Sequence, residues 1–201
     1  EEARAAGLYV HLAGERVMAA MSADSQGVLA VVAMDEAAGP GALAAALSGA
    51  MLVVVLTEAQ DPGNAGAIIR AADAAGADAV VLLRGSVDAT SPKVVRSSAG
   101  SLFHLPVVTG VTLDDAVAAL HEADFAVVAA DSRGALDLFD ADAVLEGPIA
   151  WLLGNEARGL PPEALSRADA VISIPVRGSA ESLNVAAAAA VCLYASARAQ
   201  R

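Results

Sequence analysis

Residues 51–70 read MLVVVLTEAQDPGNAGAIIR. The short apolar run Met51–Leu56 holds three consecutive valines and reads as a buried strand. Asn64–Ala75 then reads as a helix, with Ile68 and Ile69 as its core anchors. Strand, polar loop and helix in that order form the unit from which a parallel sheet is built. Downstream the unit recurs. Ala79–Leu83 reads as a strand, and Pro92–Ala99 as a short helix with Pro at a position where its missing N–H costs nothing. Leu105–Val108 reads as a strand, and Thr112–Glu122 as an amphipathic helix capped by Thr112, with Asp115 three residues later. Phe125–Ala130 and Ile149–Leu153 are further strands, Pro161–Arg167 a helix, Ala170–Ile174 a strand and Ser182–Arg198 a long terminal helix. The expected fold class is α/β, a mainly parallel sheet with helices on both faces.

Upstream the organisation differs. Tyr9–Leu12 and Val28–Met34 read as strands and Glu15–Met21 as a helix, while the DEAAGPG stretch Asp35–Gly41 reads as a linker. The expected division is residues 1–34 as the end of a separate N-terminal module, 35–48 as a linker and 49–201 as the main domain. The chain starts Glu-Glu-Ala-Arg, with neither an initiator Met nor a basic segment leading into an apolar one, so no signal peptide is visible and a beginning partway into a longer protein is expected.

Composition narrows the function classes. Of 201 residues, 56% are apolar and 3% aromatic, so the core is built from Val, Leu, Ile and Ala. One cysteine, Cys192, excludes an internal disulfide framework and fits a reducing cytoplasm. Val185–Ala195 is too short and alanine-rich to span a membrane, so no membrane association is expected. His11, His104 and His121 are scattered and read as structural, and no metal-ligand cluster is visible. A net charge of −12 argues against nucleic acid, because phosphate binding rests on Lys and Arg. A local patch overrides a net charge, however. Arg70, Arg84, Lys93, Arg96, Arg133, Arg158 and Arg177 fall at expected strand ends, loops or helix starts, whereas Asp114, Asp115 and Glu122 sit on an outer helix.

In parallel sheets chemistry collects beyond the carboxyl ends of the strands, and three loops there carry specific patterns. The first is Thr57–Gly66, with Arg70 beyond it. Asn64 and Arg70 would share a side of a helix that begins at Asn64; the plainer alternative makes Asn64 a cap and Arg70 a surface charge. The second, Gly154–Pro162, brackets Asn155, Glu156 and Arg158 between two glycines that let backbone approach a ligand. The third runs from Ile174 through Pro175, Gly178 and Ser182 to Val185. Ser182 is a candidate cap there, and Asn184 is a poor helix former whose position calls for a polar partner or a ligand.

Taken together, N-x-G-x-x-x-R, then G-N-E-x-x-G, then I-P-x-x-G-x-x-x-S-L-N-V resemble the three signature motifs of the SpoU (TrmH-like) class of SPOUT RNA 2′-O-ribose methyltransferases, from Met51 to the C-terminus. Ser91–Ser101 also resembles members that modify large-subunit ribosomal RNA, and Gln26–Val32 is similar to the end of the family's ribosomal-protein-like substrate-binding domain. The resemblance implies a C-terminal deep trefoil knot, a rare exception to unthreaded chains. It implies S-adenosylmethionine held by Gly154, Ile174 and Leu183, with Leu153 and Asn155 nearby and Ala130 and Asp131 closing the adenosine side. It also implies a homodimer through the knot region and the terminal helix.

The implied reaction moves an activated methyl to a ribose 2′-hydroxyl, so the protein's work is orientation. The family role of Arg70 is activation of that hydroxyl. A guanidinium is protonated and cannot accept a proton, so Arg70 is better suited to stabilise the developing alkoxide. Asn64, Glu156, Ser182 and Asn184 organise the pocket, with Glu156 holding Asn64 or Arg70. Lys93 and Arg96 are the candidates for RNA phosphate contacts. Ribosomal RNA is favoured over transfer RNA. The rivals are a catalytically silent RNA-binding or ribosome-assembly protein, and a nucleotide-cofactor enzyme, for which both G-x-G-x-x-G after a strand and the phosphate-binding G-x-x-x-x-G-K are lacking.

Overall fold

A computed structural model of the chain describes residues 1–22, 25–33, 37–155 and 158–201. The chain divides into two compact units, Glu1–Asp35 and Glu36–Arg201. Within the first, α1 (Glu2–Ala5) and α2 (Glu15–Met21) are short helices, and none of the unit's described residues is buried. Helix Glu15–Met21 is where the sequence placed it. The expected strands Tyr9–Leu12 and Val28–Met34 are not formed among the described residues (Met34 lies outside them). A strand gains its stability from a ladder partner, and no partner pairs with either segment.

The second unit begins with α3 (Gly39–Leu47), which occupies most of the stretch expected to be a linker. Leu43 and Leu47, one turn apart, bury themselves, and Thr109 N–H donates to Ala37 C=O at 2.9 Å. Then follow β1 (Leu52–Leu56), α4 (Pro62–Ala75), β2 (Ala79–Leu83), α5 (Pro92–Ser97), β3 (Val107–Val111), α6 (Leu113–Glu122), β4 (Ala126–Ala130) and β5 (Leu136–Asp137). The chain closes with α7 (Asp142–Leu145), β6 (Ile149–Leu153), α8 (Pro162–Arg167), β7 (Ala170–Ser173) and α9 (Val185–Ala199). The strand expected at Leu105–Val108 is shifted toward the C-terminus, since Pro106 has no N–H for a ladder and contributes only its C=O, to Val80.

All strand pairings are parallel, in the order β3-β2-β1-β6-β4-β7-β5. Alternate strand residues face opposite sides, so the sheet carries two cores. Leu52, Val54, Leu56 and Trp151 face α4, α5, α7 and α9. Val53, Val55, Ala150 and Leu152 face α3, α6 and α8. Burial on both faces explains why the strands read as unbroken apolar runs. The single Trp is fully buried, and its Nε1–H donates to Ser196 Oγ of α9 at 2.9 Å.

Helix starts follow their caps. Thr112 Oγ1 accepts from Asp115 N–H and Ser91 Oγ from Val94 N–H. Two expected starts are corrected. Helix α4 begins at Pro62, because Asp61 accepts the N–H of Asn64 at 2.8 Å and Pro takes the first helical position. Helix α9 begins at Val185 rather than Ser182, because Asn184 is its cap: Oδ1 accepts from Ala186 and Ala187 N–H.

Candidate functional site

The loops that follow β4, β6 and β7 meet beyond the carboxyl ends of those strands and enclose an open cavity of about 190 Å³. Leu153 and Gly154 come from the end of β6, Ala130 and Asp131 from β4, and Ile174 and Leu183 from the segment after β7. Asn155 and Ser182 also line it. All seven residues that the motifs suggested for a cofactor therefore share one cavity.

Each wall has a local cause. Gly154 sits where β6 turns back on itself: Asn155 and Gly159 exchange backbone hydrogen bonds at 3.0 and 2.8 Å. A Cβ on Gly154 would lie 2.2 Å from the carbonyl carbon of Gly159, so the turn closes only without a side chain. Asn155 is buried, and its Nδ2 donates to Glu58 C=O at 3.1 Å. Arg158 reaches Glu58 Oε2 at 2.9 Å, and Thr57 N–H donates to Leu153 C=O. The second loop is thereby fastened to the first. Glu156, the acid of that loop, lies outside the described residues.

The third loop is joined to the first by one contact. Asn184 Nδ2 donates to Asn64 Oδ1 at 3.1 Å, across 120 residues of sequence. Asn184 thus caps α9 with its oxygen and reaches α4 with its nitrogen. Among the described residues, the backbone of 176–183 makes no hydrogen bond to other backbone, so its donors and acceptors are open to a ligand or to solvent.

Arg70 stands apart. It is exposed on α4, makes no hydrogen bond or ion pair among the described residues and does not line the cavity. With both residues inside α4, six positions place Arg70 about 120° around the axis from Asn64, not on its side. Lys93 and Arg96 are exposed on α5. This helix packs on α4 at Gly66, where a Cβ would come within 2.7 Å of Val94 C=O. Lys93 Nζ lies 3.8 Å from Asp61, so a chain of polar contacts runs Lys93, Asp61, Asn64, Asn184. The Asn64 N–H holds the Asp61 carboxyl below the usual carboxylate range, with Lys93 adding to it.

Gly159, the second bracketing glycine, lines the same cavity, and so do Ser132, Val176, Glu181, Val185 and Ala188, which sequence reasoning passed over. Val185 and Ala188 follow from helical spacing, three positions apart on α9. Glu181 had no signal beyond its place among the motif residues. Asp131, with a side chain 8% exposed, is clasped by Arg133 through Nε at 2.8 Å and Nη2 at 3.0 Å. That clasp holds the Asp131 carboxyl below its ordinary range and pushes the guanidinium up.

Residues 51–194 match the profile of the SpoU rRNA Methylase family. Over 140 residues the chain is 41% identical to the 23S rRNA (uridine(2479)-2′-O)-methyltransferase of Streptomyces viridochromogenes, covering 67% of this chain and 48% of that protein. It is similar to the crystal structure of an AdoMet-bound rRNA methyltransferase from Sinorhizobium meliloti, with a TM-score of 0.77 and 30% identity over 92% of this chain and 70% of that one. A structure described for 2-OH methylation of C/U34 on tRNA is similar too, with a TM-score of 0.65 and 32% identity over 81% of this chain and 97% of that one. The chain spans about half the length of the curated relatives it matches.

Proposed function

This chain belongs to the SpoU rRNA methylase family, and from that membership we propose that it transfers a methyl group from S-adenosylmethionine to a ribose 2′-hydroxyl of RNA. The observation that carries the reading is the convergence of the residues after β4, β6 and β7 on one cavity, joined to the first motif loop by the Asn184–Asn64 bond. The cavity suits the cofactor. Leu153, Ile174, Leu183 and Val185 supply apolar walls, Gly154 permits close backbone approach, and the open backbone of 176–183 offers polar partners. When bound, S-adenosylmethionine supplies a methyl already activated by its sulfonium.

The protein's own residues then orient and polarise. Asn64 and Asn184 fix the first loop against the third, Ser182 lines the pocket, and Glu156 takes the supporting role that its place in the second motif implies. Arg70 stabilises the developing alkoxide, and its exposed, unpaired position on α4 suits a group that meets its partner only when RNA is bound. Lys93 and Arg96 contact phosphates, so α4 and α5 together present Arg70, Lys93 and Arg96 to the RNA. Ribosomal RNA is the favoured substrate, supported by the Streptomyces and Sinorhizobium relatives; transfer RNA is the second reading, supported by the tRNA-methylation neighbour. The reading also comprises a homodimer through α9 and the knot region, the trefoil threading itself, residues 1–34 as the end of a substrate-binding domain, and a cytoplasmic location. No helix among the described residues is long and apolar enough to cross a membrane.

The test is transfer of labelled methyl from S-adenosylmethionine to unmodified ribosomal RNA and, separately, to transfer RNA, followed by alkaline digestion. A 2′-O-methyl blocks cleavage of the adjoining phosphodiester, so the expected product is a labelled dinucleotide from ribosomal RNA. Label confined to mononucleotides means base methylation and overturns the reading. No label in either RNA, with the cofactor bound, favours the silent RNA-binding class.

A further inference from the structure

The charge inventory of the cavity is lopsided. Among its described lining residues only Asp131 and Glu181 are ionisable, and both are acids. They are not equivalent. Both oxygens of Asp131 are engaged by the Arg133 guanidinium, which offsets its charge at the wall. Glu181 makes no hydrogen bond or ion pair among the described residues. It lies on the 176–183 segment, next to Ser182 and Leu183 on the same wall. Among the described lining residues, Glu181 is therefore the acid whose charge no described side chain offsets; it is solvent-exposed, and the motif resemblance gave it no role.

A methyl donor and its demethylated product differ by one methyl group and the charge at sulfur. The donor carries a sulfonium; the product carries a neutral thioether. Resting on the cofactor reading above, we propose that Glu181 is a specificity-determining residue that favours the charged donor over the spent product. The geometry points to a long-range Coulomb preference rather than a shape filter, because donor and product fill the same volume except for one methyl. At a solvent-open wall the effective dielectric is high, so the preference is a factor of about 3 to 10. Donor enters favoured, the positive charge at sulfur is lost with the reaction, and product leaves a cavity that attracts it less.

The test is isothermal titration of the whole chain with S-adenosylmethionine, S-adenosylhomocysteine and sinefungin, whose amine places a positive charge where the sulfonium stands. The expected result is that Glu181→Gln weakens both cationic ligands about 3- to 10-fold and leaves S-adenosylhomocysteine within about twofold. Glu181→Asp keeps most of the preference, and added salt erodes it in the native protein but not in the glutamine variant. Equal weakening of all three ligands by Glu181→Gln would make the residue a loop-ordering group and overturn the inference. So would three unchanged affinities. Failure of the native chain to bind any of the three overturns the cofactor reading, and the inference with it.

Discussion

Asn184 serves two elements with one amide. Its Oδ1 caps α9 and its Nδ2 holds Asn64 of α4. The two roles separate by substitution. Asn184→Ser keeps a good cap but is too short to reach Asn64, so stability stays within about 0.5 kcal/mol while methyl transfer falls tenfold or more. Asn184→Ala loses both, costing about 1 kcal/mol as well. Urea denaturation beside a transfer assay distinguishes the pair. A second residue-scale case lies in the core. Ser196→Ala leaves the buried Trp151 N–H without a partner and lowers unfolding free energy by about 1–3 kcal/mol, read from denaturant midpoints. Asp131 gives a pH signature. Its folded pKa is depressed first by the Arg133 hydrogen bond, so the clasp's stabilisation is present above the ordinary carboxylate value and lost as pH falls through the depressed one. Arg133→Gln therefore lowers the melting temperature above the ordinary carboxylate value and leaves it nearly unchanged below the depressed one, so the acid limb becomes shallower, measured by melting scans from about pH 2 to about pH 6.

At the scale of elements, the turn after β6 depends on absent volume. Gly154→Ala drives a Cβ into the Gly159 backbone, and the turn must open to accommodate it. Cofactor affinity measured by titration is expected to fall more than tenfold, about 1.4 kcal/mol, while α-helical circular dichroism is retained. Turns and caps are also where sequence and structure part company. The strands Ala79–Leu83 and Ile149–Leu153 were legible to the residue because burial on both faces leaves no polar interruption. Helix α3 was not, since glycines and proline at its start mimic a linker and only Leu43 and Leu47, which find the sheet in three dimensions, betray it. Strand β5, with two residues, has no periodicity to read. In the site, motif residues that contribute backbone or apolar wall were legible. The Asn184–Asn64 bond was not, because nothing in a sequence records a contact across 120 positions. The separation of Arg70 from Asn64 was legible but misjudged, since six residues at about 100° each leave the two about 120° apart wherever the helix starts.

For the molecule as a whole, Cys192 reports integrity. It is buried between the sheet and α9, and burial pushes its thiol up to about 12, so almost none is thiolate at neutral pH. Iodoacetamide labelling at pH 8, followed by mass spectrometry, should be negligible in the native state and rise with denaturant in step with global unfolding. Labelling well below that transition would mean that α9 detaches on its own. The strand order carries a further consequence, for biosynthesis. Strand β1 is paired on one side by β2, which follows directly, and on the other by β6, which is not made until residue 149. At ribosomal speeds that interval is on the order of ten seconds. Throughout it the nascent chain presents an unpaired Leu-Val-Val-Val-Leu edge in the middle of its future sheet, an invitation to aggregation that a chaperone or a fast-translating message has to cover.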